Sequence, residues 1–329
     1  GEMQVKRIAI LTAGADAPGA NAAIRSIVRS AYHMDMEVLG VRGGFAGLLN
    51  DDVIILTSKS VSGILPRGGT ILGTSRTRID EAQVQTIREV MDRYRITVLA
   101  VLGDRETMAT CDLLTQHDVP VLALPLTIDN DINGTDETIG FDTAVTTIAE
   151  ALDKLHTTAE AHHRVMVVET MGGATGWLAL YGGIAGGADF IVIPEVTVEK
   201  DKIVNHIYRR RESGRGFSIV VIAEGAKLPW LSNVEGGVGH ALAQEIQDAT
   251  GMETRITVLG HQQRGGSPTV QDRLIATRMG MELVNAVKQG ITGKMVAFTG
   301  GKFELVNFDL AAQIKMADKE LYNLAELFY

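Results

Sequence analysis

Cysteine is almost absent from the sequence, and so are long apolar runs. The single cysteine, Cys111, excludes an internal disulfide framework and is typical of a protein in a reducing compartment. Because no basic partner for Cys111 can be identified, we interpret it as a small core residue rather than a nucleophile. The sequence has neither a run of about 20 apolar residues that could cross a bilayer nor a signal-peptide pattern at its N-terminus. We therefore expect a cytoplasmic protein that is not associated with a membrane.

Positively charged residues are outnumbered by negatively charged ones. The formal net charge is −9, so the chain lacks the basic surface of a nucleic-acid-binding protein, and local arginines must hold any anionic ligand. The basic run Arg209–Arg211 lies on a predicted helix, and we interpret it as a solvated face. The hydrophobic content of 45% and charged content of 22% are those of a globular protein, and 329 residues suffice for two domains.

Short β-branched runs alternate with helical patterns along the whole chain. Near-continuous apolar strands followed by helices are typical of parallel sheets covered on both faces. The sequence therefore predicts an α/β fold with two doubly wound domains, each a largely parallel sheet covered by helices. The clearest predicted helices are Asn21–His33, Glu81–Tyr94, Asp142–Thr158 and Asp272–Lys288. The predicted strands are VKRIAILT, MEVLGVR, ITVLAVLG, VPVLALP, RVMVVET, FIVIPE, FSIVVIAEG, RITVLGH and MVAFT.

Every unusual motif follows one of these strands. In doubly wound sheets, ligands bind beyond the carboxyl ends of the strands, so a site is expected in these loops. The first loop, GADAPGAN, leads into a helix near Asn21, and its small residues would let a phosphate approach the free N–H groups of the helix start. A tight structural turn has the same composition, so this loop alone does not distinguish a phosphate-binding loop from a structural turn. The other loops are GDRET, LTIDNDINGTDE, MGGATGW, EGA and HQQRGGSP.

The motif LTIDNDI is more informative. In an extended loop, Asp129 and Asp131 would face one side and Asn130 the other, with Thr127 shortly before them. Two such carboxylates can divide the work of phosphoryl transfer, one accepting a hydroxyl proton and the other holding magnesium directly or through water. The same spacing also fits an Asx-turn rich in acidic caps.

Arginines recur at the ends of the predicted strands. Arg76, Arg164, Arg255 and Arg264 all occur there, and His261 lies close to Arg264. Bidentate guanidinium groups are natural partners of a sugar phosphate, and a histidine can add a hydrogen bond. A single arginine of this kind is usually a solvated surface residue. Four of them beside strand ends favour a phosphate-binding site.

Together these segments resemble the 6-phosphofructokinase family over nearly the whole chain. The resemblance implies transfer of a phosphoryl group from ATP or pyrophosphate to the 1-hydroxyl of fructose 6-phosphate, in glycolysis and with Mg²⁺. It also implies a larger donor-side domain over residues 4–138 that receives later segments, a sugar-side domain over 139–310 and a helical segment over 311–329. The similar segments are GADAPGANAAIR, LPRGGTILGTSRT, TIDNDINGTDETIGFDTA, HHRVMVVETMGG, GWLALYGGIAGGADFIVIPE and TVLGHQQRGGSPTVQDR.

The resemblance implies a role for each matching residue. Asp129 matches the catalytic base, Thr127 assists at the transferring phosphoryl group, and Asp131 matches an acidic residue near the metal. The sugar site would be completed by a neighbouring subunit, so a homo-oligomer, a tetramer or a dimer, is expected. The positions that match fructose 6-phosphate contacts are Met171, Glu224, His261 and Arg264 within one chain, and Arg164 and Arg255 from the neighbour.

The donor side departs from the family pattern. Members that use ATP have GGDGS where this chain has GDRET, and members that use pyrophosphate carry a bulkier acidic variant. Arg105 stands at the acidic position that binds magnesium, and a guanidinium cannot coordinate a cation. Asp104, or Glu106 in a rebuilt turn, could take over the metal. The positions that still match donor contacts are Gly14, Arg76, Gly103, Asp104 and Thr107.

Three further positions depart from the pattern on the same side. Ala15 replaces a glycine, Leu126 replaces the glycine of ATP users or the lysine of pyrophosphate users, and Gly173 stands where many members have an arginine. Two functions therefore stay open, and the retained acidic residues favour the first. One is an active 6-phosphofructokinase. The other is a catalytically impaired paralogue that binds fructose 6-phosphate as a regulatory subunit or as the partner of an active paralogue. A dinucleotide oxidoreductase is disfavoured, because no GxGxxG opens the first helix.

Overall fold

The computed structural model describes residues 4–329, which form two compact units. The chain passes between the units more than once, so neither is continuous in sequence. The first unit also includes a later segment of the chain. The first unit consists of the described residues through Ile128, Ile132–Thr143 and Arg264–Ile314, and the second of Asp129–Asp131, Ala144–Gln263 and Lys315–Tyr329.

Strands and helices alternate through both units. The strands are β1 (Arg7–Ala13), β2 (Glu37–Val41), β3 (Val53–Leu56), β4 (Val98–Gly103), β5 (Val121–Thr127), β6 (Ile139–Gly140), β7 (Val165–Thr170), β8 (Phe190–Val192), β9 (Ser218–Ala223), β10 (Thr254–Val258), β11 (Lys294–Thr299) and β12 (Lys302–Asn307). The helices are α1 (Ala20–His33), α2 (Gly44–Leu49), α3 (Val84–Arg93), α4 (Arg105–Gln116), α5 (Phe141–His162), α6 (Trp177–Ala185), α7 (Lys200–Glu212), α8 (Val238–Thr250), α9 (Val270–Lys288), α10 (Phe308–Ala311) and α11 (Lys319–Ala325). Short 3-10 turns span Glu81–Gln83, Gly260–Arg264 and Glu326–Phe328.

The four clearest helix predictions are confirmed, with shifts at the ends. Helices α1, α5 and α9 cover three of them, and α5 runs four residues past the predicted end at Thr158. The fourth divides into a 3-10 turn and α3, and Asp80 and Gln83 form a reciprocal capping box at its start.

The sheet of the first unit has the strand order β12-β11-β5-β4-β1-β2-β3, with β6 paired to β5. Only β3 and β12 run antiparallel to their neighbours. Strands β4 and β5 are buried along their whole length, as near-continuous apolar runs predict. The order reverses beside β1, which lies between β4 and β2. The loops after β1 and β4 therefore lead apart, and this opens a ligand crevice at their carboxyl ends.

The sheet of the second unit has the order β10-β7-β9-β8, and all its strands are parallel. Val165 at the start of β7 is in register with Thr254 of β10 and Ser218 of β9. These three strands therefore begin at one edge of the sheet and end at the opposite edge. Residues before and after the strands consequently lie on opposite sides of this unit.

Helix α5 carries the chain from the first unit into the second, and a buried carboxylate fixes its start. Asp272, which is fully buried, accepts hydrogen bonds from the backbone N–H groups of Gly140 at 3.0 Å and Thr143 at 2.8 Å, and from the Thr143 hydroxyl at 2.5 Å. Burial raises the pKa of Asp272 to about 6, although the hydrogen bonds from Thr143 and Gly140 oppose that shift. A carboxylate at the first turn also interacts favourably with the helix dipole.

The interpretation of Arg209–Arg211 as a solvated face is wrong for its middle residue. Arg210 is 7% exposed, and its guanidinium lies 3.1 Å from Asp189 Oδ1 and donates to Ser218 Oγ at 2.9 Å. Helical spacing explains the difference, because Ile203, Ile207 and Arg210 share the buried face of α7. Arg209 and Arg211 are exposed, as predicted.

Cys111 lies on α4 and is fully buried, in agreement with its interpretation as a core residue. Burial raises the pKa of its thiol, and the nearby Asp112 carboxylate adds to the shift. Within residues 4–329, the helices are all too short or too polar to span a bilayer.

Candidate active site

The loops after β1 and β4 form the donor side of the predicted site. Ala13 at the end of β1 is in register with Gly103 at the end of β4, so the residues that follow them are neighbours. Asp104 caps α4, and its Oδ1 accepts from the Thr107 backbone N–H at 3.0 Å and from the Thr107 hydroxyl at 2.8 Å. A Cβ at Gly103 would lie 2.6 Å from the Thr107 side chain, so this position requires glycine.

Gly14 faces the second oxygen of the Asp104 carboxylate. A Cβ on Gly14 would collide with Asp104 Oδ2, and the residue has φ of 81°, in the left-handed region that favours glycine. Its N–H donates to the Ser75 carbonyl at 3.0 Å, and its carbonyl accepts from the Thr74 hydroxyl at 2.7 Å. The Asp104 carboxylate therefore occupies the space that the missing side chain of Gly14 leaves.

A small cavity of about 20 Å³ lies between these loops. A volume of this size holds about one water molecule. Arg76, Arg78, Asp104 and Glu106 all line it. Arg78 Nη2 lies 2.5 Å from Glu106 Oε2, and both side chains are more than half exposed. Both partners of this ion pair line the cavity, so an anion bound there would compete with Glu106 for Arg78.

Three other donor-side positions differ from the family pattern, and they lie in different environments. Arg105 is the first residue of α4 and is half-buried. Leu126 is 1% exposed, is in register with Ile139 of β6 and does not line the cavity. It is therefore a core residue of the first sheet. Ala15 lies in the half-buried part of the loop after β1.

The oxygens that Asp104 leaves uncommitted decide whether the donor side can hold a metal ion. Asp104 Oδ1 is committed to capping α4, which leaves one oxygen of that carboxylate. Among residues 4–329, no three histidine, cysteine or acidic side chains are grouped so that they could hold a metal ion by themselves. Mg²⁺ is usually bound by one or two carboxylates together with substrate phosphates and water. The remaining oxygen of Asp104 therefore fits Mg²⁺ that is bound together with a phosphate ligand.

Thr127 is the last residue of β5, and the two aspartates follow it. Thr127 is 6% exposed, and its carbonyl accepts from the Thr138 hydroxyl at 2.7 Å. Asn130 has φ of 55°, so the chain turns at this residue and is not extended, contrary to the sequence prediction. Asparagine tolerates this left-handed conformation better than most residues. Asp129 is half-buried, whereas Asp131 is 8% exposed and its carbonyl accepts from the Lys315 N–H at 2.9 Å.

The predicted sugar contacts Met171, Glu224 and His261 follow three neighbouring strands of the second sheet, β7, β9 and β10. The loops that carry Met171 and Glu224 are joined directly, because the Gly173 N–H donates to Glu224 Oε1 at 2.9 Å. A Cβ on Gly173 would lie 3.7 Å from Asp129 Oδ2. The structure therefore brings the loop of Met171, Glu224 and the Asp129 carboxylate together in one unit.

Gln263 was not identified from the sequence. It is fully buried, and its Oε1 accepts from the Met171 N–H at 3.2 Å while its Nε2 donates to the Gly260 carbonyl at 2.9 Å. It thereby joins the loops that carry Met171 and His261. The only sequence signal is its place between His261 and Arg264. Arg264 is half-buried at the end of the 3-10 turn and begins the next segment of the first unit.

Arg164 and Arg255 lie at the opposite edge of the second sheet. Arg164 precedes β7, and Arg255 is the second residue of β10. Both pair with Glu253, with N···O distances of 3.2 Å from Arg164 Nε and 2.5 Å from Arg255 Nη2. At 3.3 Å per residue, strand β7 separates Arg164 from Met171 by about 20 Å. Within one chain, these arginines do not lie beside Met171.

Comparisons with known proteins provide independent evidence. The family described as Phosphofructokinase matches residues 7–287. The chain is 43% identical over 326 residues to the ATP-dependent 6-phosphofructokinase 1 of Clostridium perfringens, covering 98% of each chain. It is 40% identical over 344 residues to the pyrophosphate–fructose 6-phosphate 1-phosphotransferase of Dictyoglomus thermophilum, covering 99% of each chain.

A solved structure is similar over nearly the whole chain. The structure of phosphofructokinase from Saccharomyces cerevisiae has a TM-score of 0.86 and 31% identity, over 98% of this chain and 46% of that chain. This similarity confirms the α/β fold with two largely parallel sheets. The chain belongs to the phosphofructokinase family.

Proposed function

We propose that the chain transfers a phosphoryl group from ATP or pyrophosphate to the 1-hydroxyl of fructose 6-phosphate and acts in glycolysis, in the cytoplasm. The observation that carries this proposal is the arrangement of the second unit. The loops of Met171, Glu224 and His261 follow neighbouring strands, and the Asp129 carboxylate lies against the first of these loops at Gly173. A proton acceptor beside a sugar-binding loop is what phosphoryl transfer to a sugar hydroxyl needs.

Asp129 is the proposed base. Its carboxylate accepts the proton of the 1-hydroxyl as that oxygen attacks the phosphoryl group of the donor. Thr127, at the end of β5, donates a hydrogen bond to the transferring group. Catalysis of phosphoryl transfer depends mainly on positioning and on electrostatic stabilisation, so the fixed turn at Asn130 serves the reaction by holding Asp129 in place.

Mg²⁺ is the proposed cofactor, held by Asp131 or by the remaining oxygen of Asp104 together with the donor phosphates. It would neutralise charge on the phosphoryl oxygens. Arg105 cannot be a ligand, but a guanidinium at the start of α4 is suited to a phosphate oxygen. Gly14, Gly103 and Thr107 shape the donor loops around these groups, and Arg76 borders the cavity between them.

Replacing Glu106 with glutamine tests the donor side. The substitution removes a carboxylate from the cavity and releases Arg78 from its ion pair. Because an exposed ion pair contributes about 0.2–1 kcal/mol, we expect the KM for the phosphoryl donor to fall by up to about fivefold. The KM for fructose 6-phosphate should not change. Donor KM is measured at saturating fructose 6-phosphate.

Glu89→Gln is the matched control for this measurement. Glu89 is an exposed glutamate on α3 and does not line the donor cavity, so its replacement should leave the donor KM unchanged. A Glu106→Gln variant with an unchanged or higher donor KM would show that the ion pair does not oppose donor binding.

We also propose that the active site is shared between subunits of a homo-oligomer, a dimer or a tetramer. Support comes from the second sheet, because Arg164 and Arg255 lie at the edge opposite to Met171 and Glu224. Glu253 pairs with both guanidinium groups and so keeps them side by side, and the N–H groups that Glu253 does not use could bind one phosphate. A second copy of the chain can bring this pair to the 6-phosphate of the sugar.

The experiment that tests the function is the formation of fructose 1,6-bisphosphate from fructose 6-phosphate and Mg²⁺, with ATP and pyrophosphate offered separately. We expect turnover with one of the two donors. No turnover with either donor, in protein that binds fructose 6-phosphate, would contradict the proposal. That result would favour the alternative of a non-catalytic subunit that pairs with an active paralogue.

A further inference from the structure

The segment Lys315–Ala317 joins two loops of the second unit that carry proposed reaction residues. Its Lys315 N–H donates to the Asp131 carbonyl at 2.9 Å. The Lys315 carbonyl in turn accepts from the indole Nε1–H of Trp177 at 2.7 Å, and Lys315 Nζ lies 4.6 Å from the centre of the Trp177 ring. Trp177 therefore fixes Lys315, and Lys315 in turn fixes the loop of Asp129 and Asp131.

Ala317, at the other end of the segment, is linked to the start of α6, where Trp177 lies. Glu195 Oε2 accepts from the Ala317 N–H at 2.6 Å and from the Gly176 N–H at 3.0 Å. Gly176 immediately precedes Trp177, so these contacts close a ring. We call this ring the brace, consisting of Gly176, Trp177, Lys315, Ala317 and Glu195. All of its members are buried except Lys315, which is half-buried.

The brace also adjoins the predicted sugar loop. Gly176 and Trp177 directly follow the turn from Met171 to Thr175, in which Gly173 binds Glu224. The brace thus fixes the position of the Asp129–Asp131 loop relative to the loop that faces the sugar. Such a link matters because the separation of base and hydroxyl must be accurate, and a displacement of about 1 Å can cost 10²-fold in rate.

The turn at Asn130 depends on contacts of this kind. Its φ of 55° is left-handed, and a residue in this conformation persists when the surrounding structure holds it there. Trp177 is 7% exposed. If Lys315 moved away, a buried indole N–H would lose its acceptor, which is unfavourable. Trp177 therefore disfavours any state in which Lys315, and the Asp131 carbonyl bound to it, are displaced.

We propose that Trp177, acting through Lys315, is a positioning residue for the Asp129 base. The proposal rests on the proposed function of Asp129, but it makes a separate structural claim. Trp177 does not contact the substrate in this account. It sets the place of the aspartate loop through main-chain hydrogen bonds, so its loss should change the chemical step rather than sugar binding.

The experiment compares Trp177→Phe with Trp230→Phe in the full-length protein. Each substitution removes one indole hydrogen bond to a backbone carbonyl, since Trp230 Nε1 donates to the Val198 carbonyl at 2.9 Å. We expect Trp177→Phe to lower kcat by about 10-fold to 100-fold, with KM for fructose 6-phosphate within about threefold of the wild type. Trp230→Phe should retain the wild-type kcat. Lys315→Ala keeps both main-chain bonds, so its loss of kcat should be smaller than that of Trp177→Phe.

Amide hydrogen exchange of residues 127–133 gives a readout that does not depend on activity. It should become about tenfold faster in Trp177→Phe, the effect of losing one hydrogen bond, and stay unchanged in Trp230→Phe. Unchanged exchange and kcat in Trp177→Phe, or equal losses in both phenylalanine variants, would overturn the proposal. If the wild type lacks turnover, the proposed function fails, while the exchange measurement still decides whether Trp177 holds the loop.

Discussion

Replacing Asp129 with asparagine is expected to lower kcat by about 10³-fold, because the amide cannot accept the proton of the sugar hydroxyl. Asparagine has nearly the size of aspartate, so the turn at Asn130 and the bond from Lys315 to the Asp131 carbonyl should persist. The KM for fructose 6-phosphate should therefore change little. Both constants are obtained from initial rates of fructose 1,6-bisphosphate formation at a saturating donor concentration.

Asp153→Asn is the control for this substitution. Asp153 is an exposed residue of α5, and the same loss of charge there should leave kcat unchanged. An Asp129→Asn variant that keeps more than about a tenth of the wild-type kcat would show that Asp129 is not the general base, since general-base catalysis contributes at least about 10²-fold.

The second large effect concerns stability. Arg210→Ala is expected to lower the free energy of unfolding of the second unit by about 3–5 kcal/mol, because it leaves the buried Asp189 carboxylate without its cationic partner. The Asp189 carboxylate would keep its hydrogen bond from the Ile219 N–H at 2.8 Å but would lose the guanidinium. Urea unfolding followed by tryptophan fluorescence measures this effect, since both tryptophans, Trp177 and Trp230, lie in the second unit.

The neighbouring arginine provides the control for this measurement. Arg209 is exposed on the same helix, so Arg209→Ala should change the free energy of unfolding by no more than about 0.5 kcal/mol. Equal losses in the two variants would mean that the Arg210–Asp189 pair contributes no more than a surface charge. They would also mean that the burial of Arg210 is without energetic consequence.

The class of fold could be predicted because each strand carries its own signal. Strands such as β4 and β5 are apolar throughout, and this pattern requires cover on both faces. The division of the chain could not be predicted in the same way. Residues 264–314 return to the first unit because β11 pairs with β5, at Lys294↔Leu122 and Met295↔Ala123. No change in composition marks that return.

The site was predictable where a motif follows a strand, and much less so elsewhere. The loops of Asp129, Met171 and Glu224 could be placed from their positions after apolar runs. The helix cap at Asp104 also had a local signal, since an aspartate before a helix commonly binds the N–H three residues later. Gln263 and Trp177 could not be assigned, because their partners are set by contacts between segments far apart in sequence.

The proposed site shared between two subunits accounts for the placement of these residues. In the proposed shared site, Asp129 and the loops of Met171 and Glu224 would come from one subunit. Arg164 and Arg255, from the opposite edge of the sheet, would come from the next. Because the predicted sugar contacts are retained, we expect the chain to act on fructose 6-phosphate despite its altered donor loops. Because Arg78 and Glu106 both line the small cavity on the donor side, we expect donor binding to depend on this pair.

Subunit complementation between Asp129→Asn and Arg164→Ala tests this central claim most directly. Each variant alone should be nearly inactive at fructose 6-phosphate concentrations below the wild-type KM. After joint denaturation and reassembly, about a quarter of the wild-type activity should return, because random pairing gives mixed interfaces in which one of two sites has both residues intact. A chain with both substitutions, mixed with Asp129→Asn, should stay inactive. A mixture of the two single variants that remains as inactive as its components would contradict the shared site.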